Sequence, residues 1–384
     1  MPPNVTPPST LYIGLMTGTS LDGIDGALVD LADCDQGRLA VRAHAHAPFD
    51  PALAAELLAL NRPGGTDELH RGALAGNALA EACAAVVARL LSDSGTAAAE
   101  VAAIGTHGQT VRHCPGLHDG IGYTLQLNNP ALLAERCGID VVADLRSRDI
   151  AAGGQGAPLV PAFHRAVFGR DGETVAVLNL GGMSNLTVLH ADVRTIGFDC
   201  GPGNALMDLW CRRHLGKPFD ADGGWAASGQ VAPDLLASLR ADPYFALPPP
   251  KSTGRDLFHA DWLAGHLDRL ERRYPLAPAD VQATLLELTA SVCADDVDRH
   301  ARAAERLLVC GGGARNGVLM ARLAALLPGR RVEPSDDAGL PADQVEAVAF
   351  AWLARCCLLR RPGNLPSVTG ARGLRILGAV YPAG

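Results

Sequence analysis

Three short turns in this chain combine glycine with hydroxyl-bearing or amide side chains in a way suited to gripping phosphate. They are Thr17–Gly23, Gly181–Asn185 and Gly311–Asn316, and each follows an apolar run. Glycine lets the backbone approach a bulky anion and adopt positive φ, so successive N–H groups can point at one phosphate. Thr17, Thr19, Ser20 and Ser184 add hydroxyl donors. In the third turn Leu307–Cys310 runs into Gly311-Gly312-Gly313 and then into a helical pattern, whose N-terminus favours negative charge or a nucleotide. Taken singly, each is an ordinary hairpin or βα turn. Their order is more telling: two hairpin loops and a later strand–GGG–helix suit a nucleotide held from two sides. Rival motifs fail, since the one Gly-Lys pair, Gly216-Lys217, precedes Pro218, and no H-E-x-x-H or strand-borne G-x-G-x-x-G occurs.

Other residues could do chemistry beside such turns. Asp199 precedes Cys200-Gly201-Pro202-Gly203-Asn204, small residues that leave room for a substrate against a carboxylate. It also reads as a helix cap. His107 and Gln109 lie on a short loop after an apolar run, where substrate contacts concentrate, although a neutral His satisfied by a backbone partner fits equally. Asn128 and Asn129, before Pro130, read as turn residues. Arg148 reads alone as a surface residue or an ion-pair partner of Asp144 or Asp149, and Glu346 as a favourable first-turn acid. Lys251 suits a phosphate or a carboxylate, and solvent as well.

The elements that would carry these residues repeat. Strands are expected at Leu11–Leu15, Gly26–Leu31 and Leu39–Ala47, and again at Thr174–Leu180, Leu186–His190 and Val193–Phe198. Helical spacing marks Pro51–Leu60, Asp67–Leu91, Ala131–Cys137, Gln282–Ala303, Asn316–Leu327 and Glu346–Leu359. Short strands are expected at Val101–Gly105, Asp140–Ala143 and Arg306–Cys310, with Leu374–Val380 returning to the first lobe. The Gly- and Pro-rich stretch Asp149–Pro161 marks the crossing between lobes. Residues 1–148 with about 365–384 form one expected lobe, and 149–364 the other.

Composition bounds the reading. At 384 residues, 48% hydrophobic and 19% charged, the chain can bury two cores. A net charge of −8 argues against nucleic-acid binding. Lys217 and Lys251 are the only lysines, so Arg supplies nearly all the positive charge. The ten cysteines lack C-x-x-C spacing and read as buried, reduced thiols. No leader pattern opens the chain and no stretch reads as a membrane span, so a cytoplasmic protein with no membrane partner is expected.

The turns sit in longer blocks. Gly14–Asp25 (GLMTGTSLDGID) resembles the signature of the anhydro-N-acetylmuramic acid kinase family, within the acetate and sugar kinase/Hsp70/actin superfamily. The resemblance runs from Tyr12 to Pro382 through Gly105–Thr110 (GTHGQT), Ile139–Pro161, Asn179–Asn185 (NLGGMSN), Gly197–Asn204 (GFDCGPGN), Lys251–Arg255 (KSTGR), Val309–Asn316 (VCGGGARN) and Pro362–Gly370. One departure is minor: Thr17 stands where Ser is commoner, and either supplies a hydroxyl.

The resemblance implies an α/β fold of two RNase H-like, actin-like ATPase lobes, each a mixed five-stranded sheet flanked by helices, with a cleft between. It implies an ATP-dependent kinase that opens 1,6-anhydro-N-acetylmuramic acid with water and phosphorylates O6, giving N-acetylmuramic acid 6-phosphate and ADP. Asp199 matches the family's base. Glu346 and Arg148 match residues that assist the water or contact the sugar; His107 and Gln109, from their loop position, are the further expected substrate contacts. ATP phosphates are expected at Thr17, Gly18, Thr19, Ser20, Leu21, Asp22, Gly23 and Ile24 and at Gly181, Gly182 and Ser184. Adenosine is expected at Gly311, Gly312, Gly313 and Ala314. Mg²⁺ is expected at Asp22, with Asp25 as the rival. The small amino sugar is the expected partner, and a homodimer is named only because it is common. The rival readings are another kinase or phosphatase of the superfamily, or a nucleotide-gated binding protein. The last would need a peptide-binding or helix-turn-helix segment for which little sequence is left.

Overall fold

Glycines on two neighbouring strands decide how the first half of the chain packs. The computed structural model describes residues 9–18, 21–254, 257–271 and 275–384, with the side chain of residue 271 left out. Among the described residues thirteen strands form: β1 Leu11–Met16, β2 Gly23–Asp30, β3 Ala40–Pro48, β4 Val101–Thr106, β5 Gln109–Pro115, β6 Gly122–Leu127, β7 Val141–Ala143, β8 Val175–Leu180, β9 Met183–Leu189, β10 Thr195–Pro202, β11 Arg306–Cys310, β12 Arg331–Pro334 and β13 Ala379–Tyr381. They belong to two units, one of residues up to 167 with 344–384, the other of residues 168–343.

In the first unit the sheet order is β13-β7-β4-β1-β2-β3. Strands β1, β4 and β7 run parallel, and β1-β2-β3 is an antiparallel meander. Gly14 and Gly105 lie side by side on β1 and β4. A Cβ at Gly14 would fall 1.8 Å from the Ala347 carbonyl oxygen, and one at Gly105 2.0 Å from that of Phe350. These two glycines therefore let helix Val345–Leu358 lie with its backbone against the sheet. On the other face helix Glu68–Ser94 buries Leu79, Cys83, Val86 and Leu90. It is long and apolar enough to cross a membrane by length and composition, yet its apolar stripe belongs to the core with Leu28 and Ile104.

In the second unit the order is β10-β9-β8-β11-β12, with β8, β11 and β12 parallel and β8-β9-β10 antiparallel. Helix Pro278–His300 is buried along most of its length and packs with Phe198, Leu206 and Trp210. Numbered within each sheet, with β5 and β6 pairing apart as a two-stranded hairpin, both sheets carry the order 3-2-1-4-5, so the expected duplication of mixed sheets holds. The first sheet has six strands rather than five, because β13 adds antiparallel to β7.

The division between units differs from the expected one. Buried Asp149 accepts hydrogen bonds from Gly156 N (2.8 Å), Asn364 Nδ2 (2.7 Å) and Thr369 Oγ1 (2.8 Å), tying the Gly-rich stretch and the 362–370 block into the first unit. Helix Val345–Leu358 joins it for the glycine reason above, so the division falls at 167/168 and 343/344. None of the ten cysteines is in a disulfide; eight are buried, and Cys114 and Cys137 are half-buried.

Gly14→Ala should lower stability by about 2 kcal/mol or more, since a methyl there meets backbone that cannot step aside. Gly182→Ala, where an added Cβ meets nothing within 4 Å, should stay within about 0.5 kcal/mol of the parent. Urea unfolding of the two variants checks both.

Candidate active site

Parallel strands place their following loops at one edge, and that edge collects the candidate residues in each unit. In the first unit Thr17 and Gly18 follow β1, and His107 follows β4. Thr17 is only 2% exposed. Its hydroxyl donates to the Gly108 carbonyl at 2.7 Å, so it braces the loop and does not point outward. Gln109 Nε2 donates to the Gly18 carbonyl at 3.2 Å, while its buried Oε1 has no hydrogen-bond partner among the described residues. Thr19 and Ser20 lie outside the described residues. Leu21 has φ 57° and its N–H meets the Gly18 carbonyl at 3.3 Å. Gly23 and Ile24 begin β2, where the Gly23 position lies against the Ala47 carbonyl.

His107 is buried, with its ring centroid 4.9 Å from that of Phe350. Nδ1 lies 3.1 Å from the Thr17 carbonyl, and Nε2 lies 2.8 Å from Arg146 Nη2. An arginine only donates, so Nε2 must accept and the proton sits on Nδ1. Burial first, and then the charge of Arg146, push the imidazole down to about 3. Arg146 also donates to the Gly156 carbonyl at 2.7 Å, and burial lowers its pKa to about 10. Arg146 was not among the expected residues. Arg148, which was, is exposed. The LRSRD sequence holds two arginines, and only the short helix Ser147–Ala151 beginning between them separates their directions.

Glu346 stands in the first turn of its helix, half-buried. Burial and then Asp25 raise its pKa, Arg146 opposes this, and Asp22 adds to the rise. Asp25 lies 2.9 Å from His46 Nδ1 and 3.8 Å from His44 Nε2. Burial would raise its carboxyl, but the hydrogen bond with His46 and the nearby His44 imidazole more than offset that and hold it below the usual range. Asp22 is exposed.

In the second unit Gly181 and Gly182 form the β8–β9 turn, and their carbonyls accept from Asn204 N (2.8 Å) and Gly203 N (2.9 Å). Neither needs to be glycine for its φ, and Gly182 has open space where a side chain would go. Ser184 is fully buried, its hydroxyl bonded to the Gly201 carbonyl at 3.1 Å. Gly311 needs its φ of 80° and lies against Asn179 and Leu180, while Gly313 lies against Leu180. A 3-10 turn, Gly312–Arg315, comes between the glycines and helix Gly317–Leu326, whose N-cap is Asn316. Asn204 Nδ2 donates to the Leu180 carbonyl at 2.9 Å, so both glycine turns and Asn204 meet at the carboxyl ends of β8 and β11.

Asp199 is a strand residue. β10 continues to Pro202, and the next helix is Ala205–Leu215 after Asn204, which excludes the cap reading. A bulge falls between Asp199 and Gly201. Thr253 N donates to Asp199 Oδ2 at 3.0 Å. Burial pushes the carboxyl up to about 6, against the Thr253 N–H and the charge of Lys251.

His107 should show no titration between about pH 8 and about pH 5, where an ordinary histidine changes charge, and its ¹⁵N shifts should report the Nδ1–H tautomer throughout. Sensitivity of both shifts to pH in that window would contradict the geometry.

Comparison with known proteins agrees over the whole chain. The family model "Anhydro-N-acetylmuramic acid kinase" matches residues 10–383. A protein of that name from Variovorax paradoxus is 64% identical over 378 residues, covering 97% of this chain and 99% of the relative. Those from Albidiferax ferrireducens and Cupriavidus pinatubonensis are each 60% identical, covering 98% and 97% of this chain and 100% and 98% of theirs. On a match from residue 10 to residue 383, the chain belongs to the anhydro-N-acetylmuramic acid kinase family.

Proposed function

We propose that this chain is an ATP-dependent kinase that opens 1,6-anhydro-N-acetylmuramic acid with water and phosphorylates the freed O6, yielding N-acetylmuramic acid 6-phosphate and ADP for reuse of cell-wall sugar. The observation that carries the reading is Asp199, a half-buried carboxylate raised to about 6 and held by one backbone N–H. Such a group is ionised at neutral pH yet basic enough to take a proton as an O–H bond breaks. An attacking water adds at C1 and gives its proton to Asp199. The C1–O6 bond breaks, and O6 attacks the γ-phosphorus as ADP leaves.

The other residues divide by chemistry. The Gly181–Gly182 turn, with open space at Gly182, suits close approach of phosphate oxygens to backbone. Thr17–Ile24 supplies the other phosphate contacts, through N–H groups and not through the Thr17 hydroxyl, which is engaged with Gly108. Gly311–Ala314 serves the adenosine. Glu346, Arg148, His107 and Gln109 serve the sugar: Glu346 as the acid that assists the attacking water, and His107 by fixing its loop through Thr17.

The described residues contain no group of three or more His, Cys, Asp or Glu able to cage a metal. Mg²⁺ needs none, because it keeps several waters and takes one or two carboxylates plus substrate phosphates. Asp25 is committed to His46 and Asp22 is exposed, so Asp22 fits as the residue that would hold the ion. When bound, Mg²⁺ would spread the charge of the phosphoryl group in transfer. A reaction that consumes ATP supports a cytoplasmic location.

Asp199→Asn should lower kcat by about 10²-fold or more while ATP and sugar bind within a few-fold of the parent, because only proton transfer is lost. Calorimetric titration and steady-state kinetics check this, and undiminished turnover would remove Asp199 from the role. With ¹⁸O-labelled water, label should appear on the C1 hydroxyl. Label in free phosphate would mean ATP hydrolysis instead.

A further inference from the structure

One segment holds Asp199 by two hydrogen bonds. The Lys251 carbonyl accepts the Asp199 N–H at 3.0 Å, and the Thr253 N–H meets the carboxylate at 3.0 Å. The Lys251 side chain, only 2% exposed, also bears on the carboxylate through its charge. Its Nζ lies 3.2 Å from Asp296 Oδ2, on a side chain 4% exposed in helix Pro278–His300. The ammonium also sits 5.6 Å from the Phe198 ring centroid and 5.2 Å from that of Tyr244. Phe198 precedes Asp199, and the Tyr244 hydroxyl donates to the Asp199 carbonyl at 2.7 Å. Lys251 is therefore neither a solvent-facing cation nor open to a ligand phosphate or carboxylate, the roles its sequence setting allowed.

A buried ion pair is a poor way to gain stability, since well-packed apolar residues of similar volume do as well or better. This pair also uses one of two lysines in a chain whose other 31 basic residues are Arg. A compact ammonium over two ring faces is a need that a planar guanidinium does not meet in the same way. We infer that the Lys251–Asp296 pair is a positioning device for Asp199: the ammonium favours its ionised carboxylate, while the Lys251–Thr253 backbone fixes where that carboxylate points. The inference rests on Asp199 being the base.

The surrounding titratable groups leave this role to Lys251. On the strand of Asp199, Cys200 is pushed well up by burial and by Cys293. Tyr244 is pushed up by burial. On the facing helix, burial raises Asp296 against the pull of Lys251, and His300 is lowered by burial. Arg299 reaches Asp296 at 3.7 Å from a side chain 53% exposed. An opposite charge favours ionisation, so loss of the ammonium should raise the pH at which Asp199 charges.

Two lysines make this readable directly. Protein labelled with ¹⁵N at lysine Nζ gives two ammonium signals, assigned with Lys217→Arg. The Lys251 signal should move through a step centred near pH 6, and the step should be missing in Asp199→Asn. A Lys251 signal flat through that range, or a step that persists in Asp199→Asn, overturns the inference whatever the kinetics show. Undiminished turnover in Asp199→Asn would instead overturn the catalytic reading alone. In Lys251→Met/Asp296→Asn, which removes both charges, the acid limb of kcat/KM should shift to higher pH by about one unit, with a smaller loss on the plateau. An even loss at every pH would mean a purely structural pair. If that variant does not fold, the ¹⁵N titration of the intact chain decides.

Discussion

A base that works inside a protein must be dry enough to be strong and still charged at neutral pH, and Asp199, the proposed base, sits in the second unit where those demands meet. Burial pulls the carboxyl up, and two opposing influences, the Thr253 N–H and the Lys251 ammonium, stop the rise at about 6. The bulge between Asp199 and Gly201 serves the same end. It breaks the strict alternation of β10 where a side chain must be re-aimed, while Phe198 and Cys200 on either side stay in the core.

The first unit meets a different constraint, which is to bring a helix terminus down to a loop. Gly14 and Gly105 remove the side chains that would hold helix Val345–Leu358 off the sheet. That close packing brings Phe350 against His107 and sets Glu346 within the field of Arg146 and Asp25. From there a chain of contacts runs from Arg146 through neutral His107 to the Thr17 carbonyl. The arginine here acts through donation, and a protonated imidazole would break the relay, so burial of His107 is part of the design of the loop.

Much of this was legible in the sequence. The repeat of strand, glycine turn and two further strands came through because alternation and glycine are local signals, and helices such as Pro51–Leu60 fell on their expected bounds. The β5–β6 hairpin was missed. Its polar alternation in QTVRHCP and GYTLQL and its Asp119-Gly120 turn were available, but no apolar run announced it. The extension of β10 past Asp199 was hidden because Gly201 and Pro202 read as a loop, while pairing with Ser184 and Met183 carries the strand on. The roles of Arg146 and Lys251 were out of reach for a plainer reason: which of two arginines turns inward, and whether a lysine finds a buried aspartate 45 positions away, depend on long-range packing. The placement of helix Val345–Leu358 was of the same kind, since two glycines far apart in sequence decide it.

If Asp199 is the base, as proposed, its proton affinity must show in the pH dependence of kcat/KM of the unaltered enzyme. A single acid limb of unit slope with a midpoint near 6 is expected, the value to which burial brings this carboxyl. A limb centred near the ordinary aspartate value of about 4, or no limb at all down to that pH, would contradict it.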